Sequence, residues 1–276
     1  MRRRIQTLLL ALCCLAGCAG CSGGAETAGT ALTVYGFAAG AADAFLLTTA
    51  DSAVLIDCGE KSLGAELVEY LDAHGVGRLD CLIITHFDKD HVGGAAKVLS
   101  SVPVERVLQS NYPKESKVYD NYLDALDEAG LTAETVRETL RFTLDGVDYE
   151  IDPPAGEYEK DQSNNSSLIV TVTNGADRLL FMGDAEDERI AAFLPAHTGV
   201  YDFLKVPHHG RHGDLSAALI ESVKPKLAVV TSSDDEPEDA AVTELLERAG
   251  AEVFFTRNGA VLVESGGQGV TARYAE

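Results

Sequence analysis

The chain has 276 residues, 46% of them hydrophobic and 24% charged, which is enough apolar material for one full core and unlike the composition of a disordered chain. Its formal charge of −22 argues against broad, sequence-independent binding to nucleic acid, which needs a cationic surface. Four of the six cysteines, Cys13, Cys14, Cys18 and Cys21, fall near the start, so a disulfide scaffold is excluded.

The chain opens with Arg2, Arg3 and Arg4, continues with an apolar run from Ile5, and reaches Leu15-Ala16-Gly17-Cys18. The run is too short to span a bilayer and reads as an export signal. Its last four residues resemble a bacterial lipobox. That implies a signal over residues 1–17, cleavage before Cys18, and a lipidated Cys18 that anchors the protein to the membrane from outside the cytoplasm. A plain secretory signal with a nearby cut is the alternative. Residues 18–30, rich in Gly, Ala, Ser and Thr, suit a flexible tether, which leaves 31–276 as one globular body.

Within the body, short runs rich in Val, Ile, Leu and Phe predict strands over 32–37, 44–48, 53–57, 79–85, 104–108, 141–144, 147–151, 168–173 and 178–182. Helical spacing predicts helices over 63–74, 92–100, 117–129, 186–194, 215–223 and 240–249. Further strands are expected over 203–206, 227–231, 253–256, 260–264 and 270–274. Strands alternating with helices make this an α/β protein. Two sheets between outer helices would accommodate the count. Cys58 closes one apolar run and Cys81 opens another, so in a parallel pair they lie at opposite ends and read as packing residues.

The strand before Thr85 runs directly into His86-Phe87-Asp88-Lys89-Asp90-His91-Val92-Gly93-Gly94, after which a helix begins. Alternation along an extended segment brings His86, Asp88 and Asp90 to one side, with His91 aimed back from the helix start. Imidazoles and carboxylates at this density suit a divalent ion, where a solvated loop would hold them by chance. Two later strands also end in ligand types, at Gly183-Asp184 and at Pro207-His208-His209-Gly210.

With Val54-Leu55-Ile56-Asp57-Cys58-Gly59, Asn164-Asn165-Ser166-Ser167-Leu168 and Phe255-Thr256-Arg257-Asn258-Gly259 added in order, the chain resembles the metallo-β-lactamase superfamily. Within it, the similarity is greatest to the domain of that fold in ComEC-type competence proteins, the DNA-uptake channels, here as a stand-alone exported lipoprotein. The resemblance implies an αββα sandwich, two mixed sheets flanked by helices. It also implies two divalent ions, zinc or manganese: His86 and Asp88 on the first, Asp90, His91 and His208 on the second, with the adjacent His209 as the alternative to His208, and Asp184 bridging. Asp57 would orient ligands from behind. The commonest pattern of the family has histidine at the Asp88 position and a further histidine before the bridging acid. Here Asn164, Asn165 or Ser167 stands in that region, which makes the donor set harder and leaves manganese to compete with zinc.

The implied chemistry is hydrolysis by a metal-bridged hydroxide, with Asp90 accepting a proton and His209 or His212 protonating the leaving group. Arg211 and His212 are placed to meet an anionic substrate or to serve only as surface loop. A phosphodiester is the expected substrate, either single-stranded DNA or a cell-envelope phosphodiester, although Lys89, Lys205 and Arg211 are few cations for tracking a polyanion. Hydrolysis of an amide or lactone, or a non-catalytic envelope lipoprotein retaining the fold, are the alternatives. His74, His197 and the acidic run from Asp234 to Asp239 read as helix end, loop and solvated turn.

Overall fold

The computed structural model describes residues 29–275; the signal, the lipobox and Cys18 lie outside them. The first half forms β1 (Leu32–Gly36), β2 (Phe45–Thr48), β3 (Ala53–Ile56), β4 (Cys81–Ile84), β5 (Val107–Gln109) and β6 (Glu134–Thr135). The second sheet contains β7 (Leu140–Leu144), β8 (Val147–Asp152), β9 (Ile169–Asn174), β10 (Asp177–Phe181), β11 (Phe203–Lys205), β12 (Leu227–Val230) and β13 (Glu252–Phe255). The last strands, β14 (Val261–Ser265) and β15 (Val270–Tyr274), return to the first sheet, giving orders β15-β14-β1-β2-β3-β4-β5-β6 and β13-β12-β11-β10-β9-β8-β7.

Three packed layers of apolar side chains follow from this order. Between the sheets, inward residues such as Phe45 and Phe181 meet edge to face, their ring centroids 5.5 Å apart. The opposite face of the first sheet is covered by α1 (Gly64–Ala73), α2 (Lys89–Val92), α3 (Ala95–Ser101) and α4 (Lys117–Glu128). The short α5 (Gln162–Asn165) precedes β9, and the second sheet is covered by α6 (Asp187–Phe193), α7 (Ser216–Val223) and α8 (Ala240–Ala249). The result is the expected αββα sandwich. Strands β3, β4, β11 and β12 are buried at every position, as strands covered on both faces must be. Among the described residues no helix is long and apolar enough to cross a membrane.

Strand direction decides where function can sit. β3 and β4 pair in parallel, as do β10, β11 and β12, so their C-terminal ends share one edge of each sheet, where α/β proteins bind ligands. β2 runs antiparallel to β3 and β9 antiparallel to β10, so the segments entering β2 and β9 reach the same edge.

Two glycines in the motif allow a close approach there. A Cβ on Gly94 would stand 2.3 Å from the Cys58 carbonyl oxygen, and one on Gly93 2.6 Å from the Lys61 nitrogen. The glycines therefore let the helical segment press against the loop after β3, where Cys58 N donates to His91 O at 2.7 Å. Cys58 and Cys81 are both buried and free; Cys81 pairs with Val54 at the start of β3, so the two stand at opposite ends.

Candidate metal centre

Each ligand-type side chain leaves the end of a strand. Asp57 follows β3 in a left-handed conformation, φ 59°, which is uncommon for a residue with a Cβ. Its buried carboxylate accepts from Thr85 N at 2.8 Å, Thr85 Oγ1 at 2.6 Å and His91 Nδ1 at 2.8 Å. Asp57 thus occupies the Nδ1 side of His91 and leaves Nε2 to face the centre, the orienting role expected of it.

Asp184 follows β10 through Gly183, itself at φ 52°. Its Oδ2 stands 3.1 Å from His91 Nε2 and 3.1 Å from His209 Nε2. Asp90 Oδ2 approaches the same two nitrogens at 3.8 and 3.2 Å. Two imidazole nitrogens and two carboxylate oxygens therefore converge on one point, with His91, His209 and Asp184 buried and Asp90 partly exposed.

The resemblance implies His208 as the ligand, with His209 or His212 as the proton donor; in the structure it is the His209 ring that turns toward the centre. Both residues adopt left-handed backbone, φ 46° and 52°, a costly pair that recurs mainly at functional sites. This turn carries the His209 ring inward. Its Nδ1 lies 2.9 Å from Thr231 Oγ1, which in turn donates to Asp43 Oδ1 at 2.7 Å. His208 is left at the rim, a third exposed, with Nδ1 3.1 Å from Glu186 Oε1.

Asp43 is the site residue that sequence reasoning missed. It enters β2 at the common edge, and its carboxylate lies within 4.8 Å of His91, Asp184 and His209 donor atoms. Its approach is on the Nδ1 side of both rings, at 3.8 and 3.6 Å, so it supports the imidazoles from behind while Asp90 and Asp184 face their Nε2 atoms. Lys205 was read only as a stray cation near the motif. Its buried ammonium donates to Gly183 O at 2.8 Å, pairs with Asp43, and lies 3.5 Å from Asp184 Oδ1.

His86 is also fully buried, its Nδ1 near Thr85 Oγ1 at 3.2 Å and Ser167 Oγ at 3.3 Å. Ser167 Oγ accepts from Asp184 N at 3.0 Å, so it braces the site. Asn164 donates to Glu186 Oε1 at 2.7 Å. Asn165 accepts from Glu186 N and Arg189 N and holds the start of α6. Neither asparagine replaces the absent histidine ligand. Arg211 and His212 lie in the exposed loop beyond, Arg211 near Glu236 at 3.9 Å.

The electrostatics call for a cation. Asp43, Asp57 and Asp184 are buried and Asp90 is close to it, against one buried ammonium. Burial pulls the His209 imidazole down, but Asp184, Asp90 and Asp43 outweigh it and raise it to about 9. Burial likewise opposes protonation of His91, and Asp184, Asp57 and Asp43 push it well above its usual value. Burial and then the neighbouring His91 lower His86 to about 4, leaving it neutral. Carboxylates this dense draw protons onto the imidazoles unless an ion replaces them. The Nε2 of His86 is buried without a hydrogen-bond partner, as expected of a nitrogen aimed at a ligand. This mixed nitrogen and oxygen set fits a divalent transition ion.

Comparisons with known proteins agree with this geometry. The description "Metallo-beta-lactamase superfamily" matches residues 38–232. ComE operon protein 3 of Bacillus subtilis is 30% identical over 210 residues, covering 72% of this chain and 26% of that protein. Recombination protein 2 of Haemophilus influenzae is 26% identical over 194 residues, covering 68% of this chain and 23% of its own length. The chain thus spans about a quarter of the curated relatives it matches. Among solved structures, the metallo-beta-lactamase fold protein YhfI from Bacillus subtilis superposes with a TM-score of 0.56 at 13% identity, covering 88% of this chain and 100% of that one. At that identity the likeness speaks for the fold alone.

Proposed function

This chain belongs to the metallo-beta-lactamase superfamily, and from that premise we propose that it is a metal-dependent phosphodiesterase anchored outside the cytoplasm. The observation that carries the reading is the convergence of His91 Nε2, His209 Nε2, Asp184 Oδ2 and Asp90 Oδ2. A divalent ion held by these residues supplies Lewis acidity at a phosphoryl oxygen and lowers the pKa of a water molecule.

The chain's own groups provide the remainder. Asp57 fixes His91 and Thr231 fixes His209, so both rings present Nε2 without reorganisation. Asp90, whose carboxylate is partly accessible, takes the proton of the attacking water. His208, at the rim and oriented by Glu186, delivers a proton to the leaving alkoxide. One curated relative, recombination protein 2 of Haemophilus influenzae, carries recombination in its name, which supports a DNA strand as substrate. The charge of −22 favours short strands or small envelope phosphodiesters over a long polyanion.

Purified protein with added zinc or manganese is expected to hydrolyse bis-p-nitrophenyl phosphate or single-stranded DNA and to leave nitrocefin intact. Turnover of nitrocefin alone would reverse the substrate assignment. The paired histidines divide the mechanism further. His209→Ala should lose bound ion and turnover together. His208→Ala should keep the ion and lose about 10²–10⁴-fold in DNA hydrolysis, with a smaller loss on bis-p-nitrophenyl phosphate, whose leaving group needs no proton. Equal losses on both substrates would remove His208 from the protonation step.

The anchor rests on the lipobox resemblance at Leu15-Ala16-Gly17-Cys18. Cys18→Ala is expected to move the protein from the membrane fraction to the soluble fraction. Unchanged partitioning would discard the lipid.

A further inference from the structure

Asp88 lies in the same motif as the ligands, yet its carboxylate faces a cation of the chain itself. Lys114, in the loop between β5 and α4, places Nζ against Asp88 Oδ1 and 3.2 Å from Ser163 Oγ, and Ser163 also donates to Asp88 Oδ1.

His86 lies near the same Asp88 oxygen. Its Nε2 is buried without a hydrogen-bond partner, 4.0 Å from Asp88 Oδ1. His86 and Asp88 therefore form two corners of an ion position beside the inner group. Beyond Asp184, which the resemblance has bridging both ions, no further donor is free: Asn164 is engaged with Glu186, Asn165 holds α6, and Ser167 accepts from Asp184 N. Lys114 sets its ammonium against the Asp88 oxygen that lies nearest His86 Nε2.

We propose that Lys114 is a built-in occupant of this outer position, neutralising Asp88 and keeping a second divalent ion from binding tightly. The centre then works with one tightly held ion at the His91, His209, Asp184 and Asp90 position and a lysine at the other. An ammonium suits this place because it is a compact point charge on a flexible stem and demands no coordination geometry. It brings to a phosphoryl oxygen the positive charge that a second ion would otherwise supply. The inference rests on reading the inner group as a metal centre and replaces the two-ion arrangement implied by the family resemblance.

The test counts ions instead of turnover. The full chain is equilibrated with manganese or zinc, and binding is followed by calorimetry and by metal analysis after dialysis. Wild type is expected to hold one tight equivalent. Lys114→Met should gain a second that binds at least about tenfold tighter than any second ion of wild type, because a cation no longer opposes it. Adding Asp88→Asn to that variant should remove the second equivalent again, whereas Asp88→Asn alone should keep one. Lys114 is a partly exposed loop residue, and thermal melts of each variant verify folding. Two tight equivalents in wild type, or an isotherm unchanged by Lys114→Met, would overturn the inference while the metal centre stands. No ion on either protein would overturn both.

Discussion

Replacing Asp184 by Asn is expected to abolish ion binding and to lower hydrolysis by at least about 10³-fold while the body stays folded. Asp184 is the hub of the centre, since one of its oxygens meets both His91 Nε2 and His209 Nε2 at 3.1 Å. The amide keeps the shape but loses the charge, and an amide is a poor substitute where two imidazoles and a carboxylate must share an ion. In the ion-free protein the same change removes one of several buried carboxylates that repel each other. Lys205 retains Asp43 as partner. Calorimetric ion titration, paired with a thermal melt of the ion-free variant, separates the two effects. Wild-type ion affinity in the Asn variant would remove Asp184 from the ligand set.

Lys205→Met is expected to produce the largest loss of stability, about 3–5 kcal/mol, because it leaves buried charge uncompensated. The lysine is fully buried. Its pKa is raised because Asp43 and Asp184 outweigh the opposing cost of burial, so its charged form is the one that fits. Without it, the buried Asp43 and Asp184 carboxylates lose the cation they share. At roughly 2–4 °C per kcal/mol for a domain of this size, the melting temperature should fall by about 6–20 °C. A divalent ion restores positive charge to the same place, so excess zinc or manganese should recover part of the loss by linkage. A melt unaffected by the substitution would show that the ammonium does not hold these carboxylates.

The elements were legible because their periodicities are clean. Strands such as β3 and β4 read as unbroken apolar runs, and they are the ones covered on both faces. The ligand types at the ends of β4, β10 and β11 were legible because each follows such a run directly. Asp43 was not, since a lone acid before Ala44 carries no spacing signal; only the antiparallel pairing of β2 with β3 brings it to the shared edge.

The division between His208 and His209 was equally hidden. His208 follows the strand and Pro207 directly, but two successive left-handed residues turn the His209 ring inward, and φ cannot be read from a pair of identical residues. Lys205 counts in the sequence only as one of few cations near the motifs; it is buried because β11 is an interior strand covered on both faces. Lys114 lies outside every motif and reaches Asp88 only through tertiary folding.

Chelator dialysis followed by re-addition of zinc or manganese, with bis-p-nitrophenyl phosphate turnover as the readout, bears most directly on the catalytic role of the buried centre. Turnover should vanish with the chelator and return when the ion is restored. Turnover that is indifferent to chelation would contradict a metal-dependent hydrolase built on His91, His209, Asp184 and Asp90.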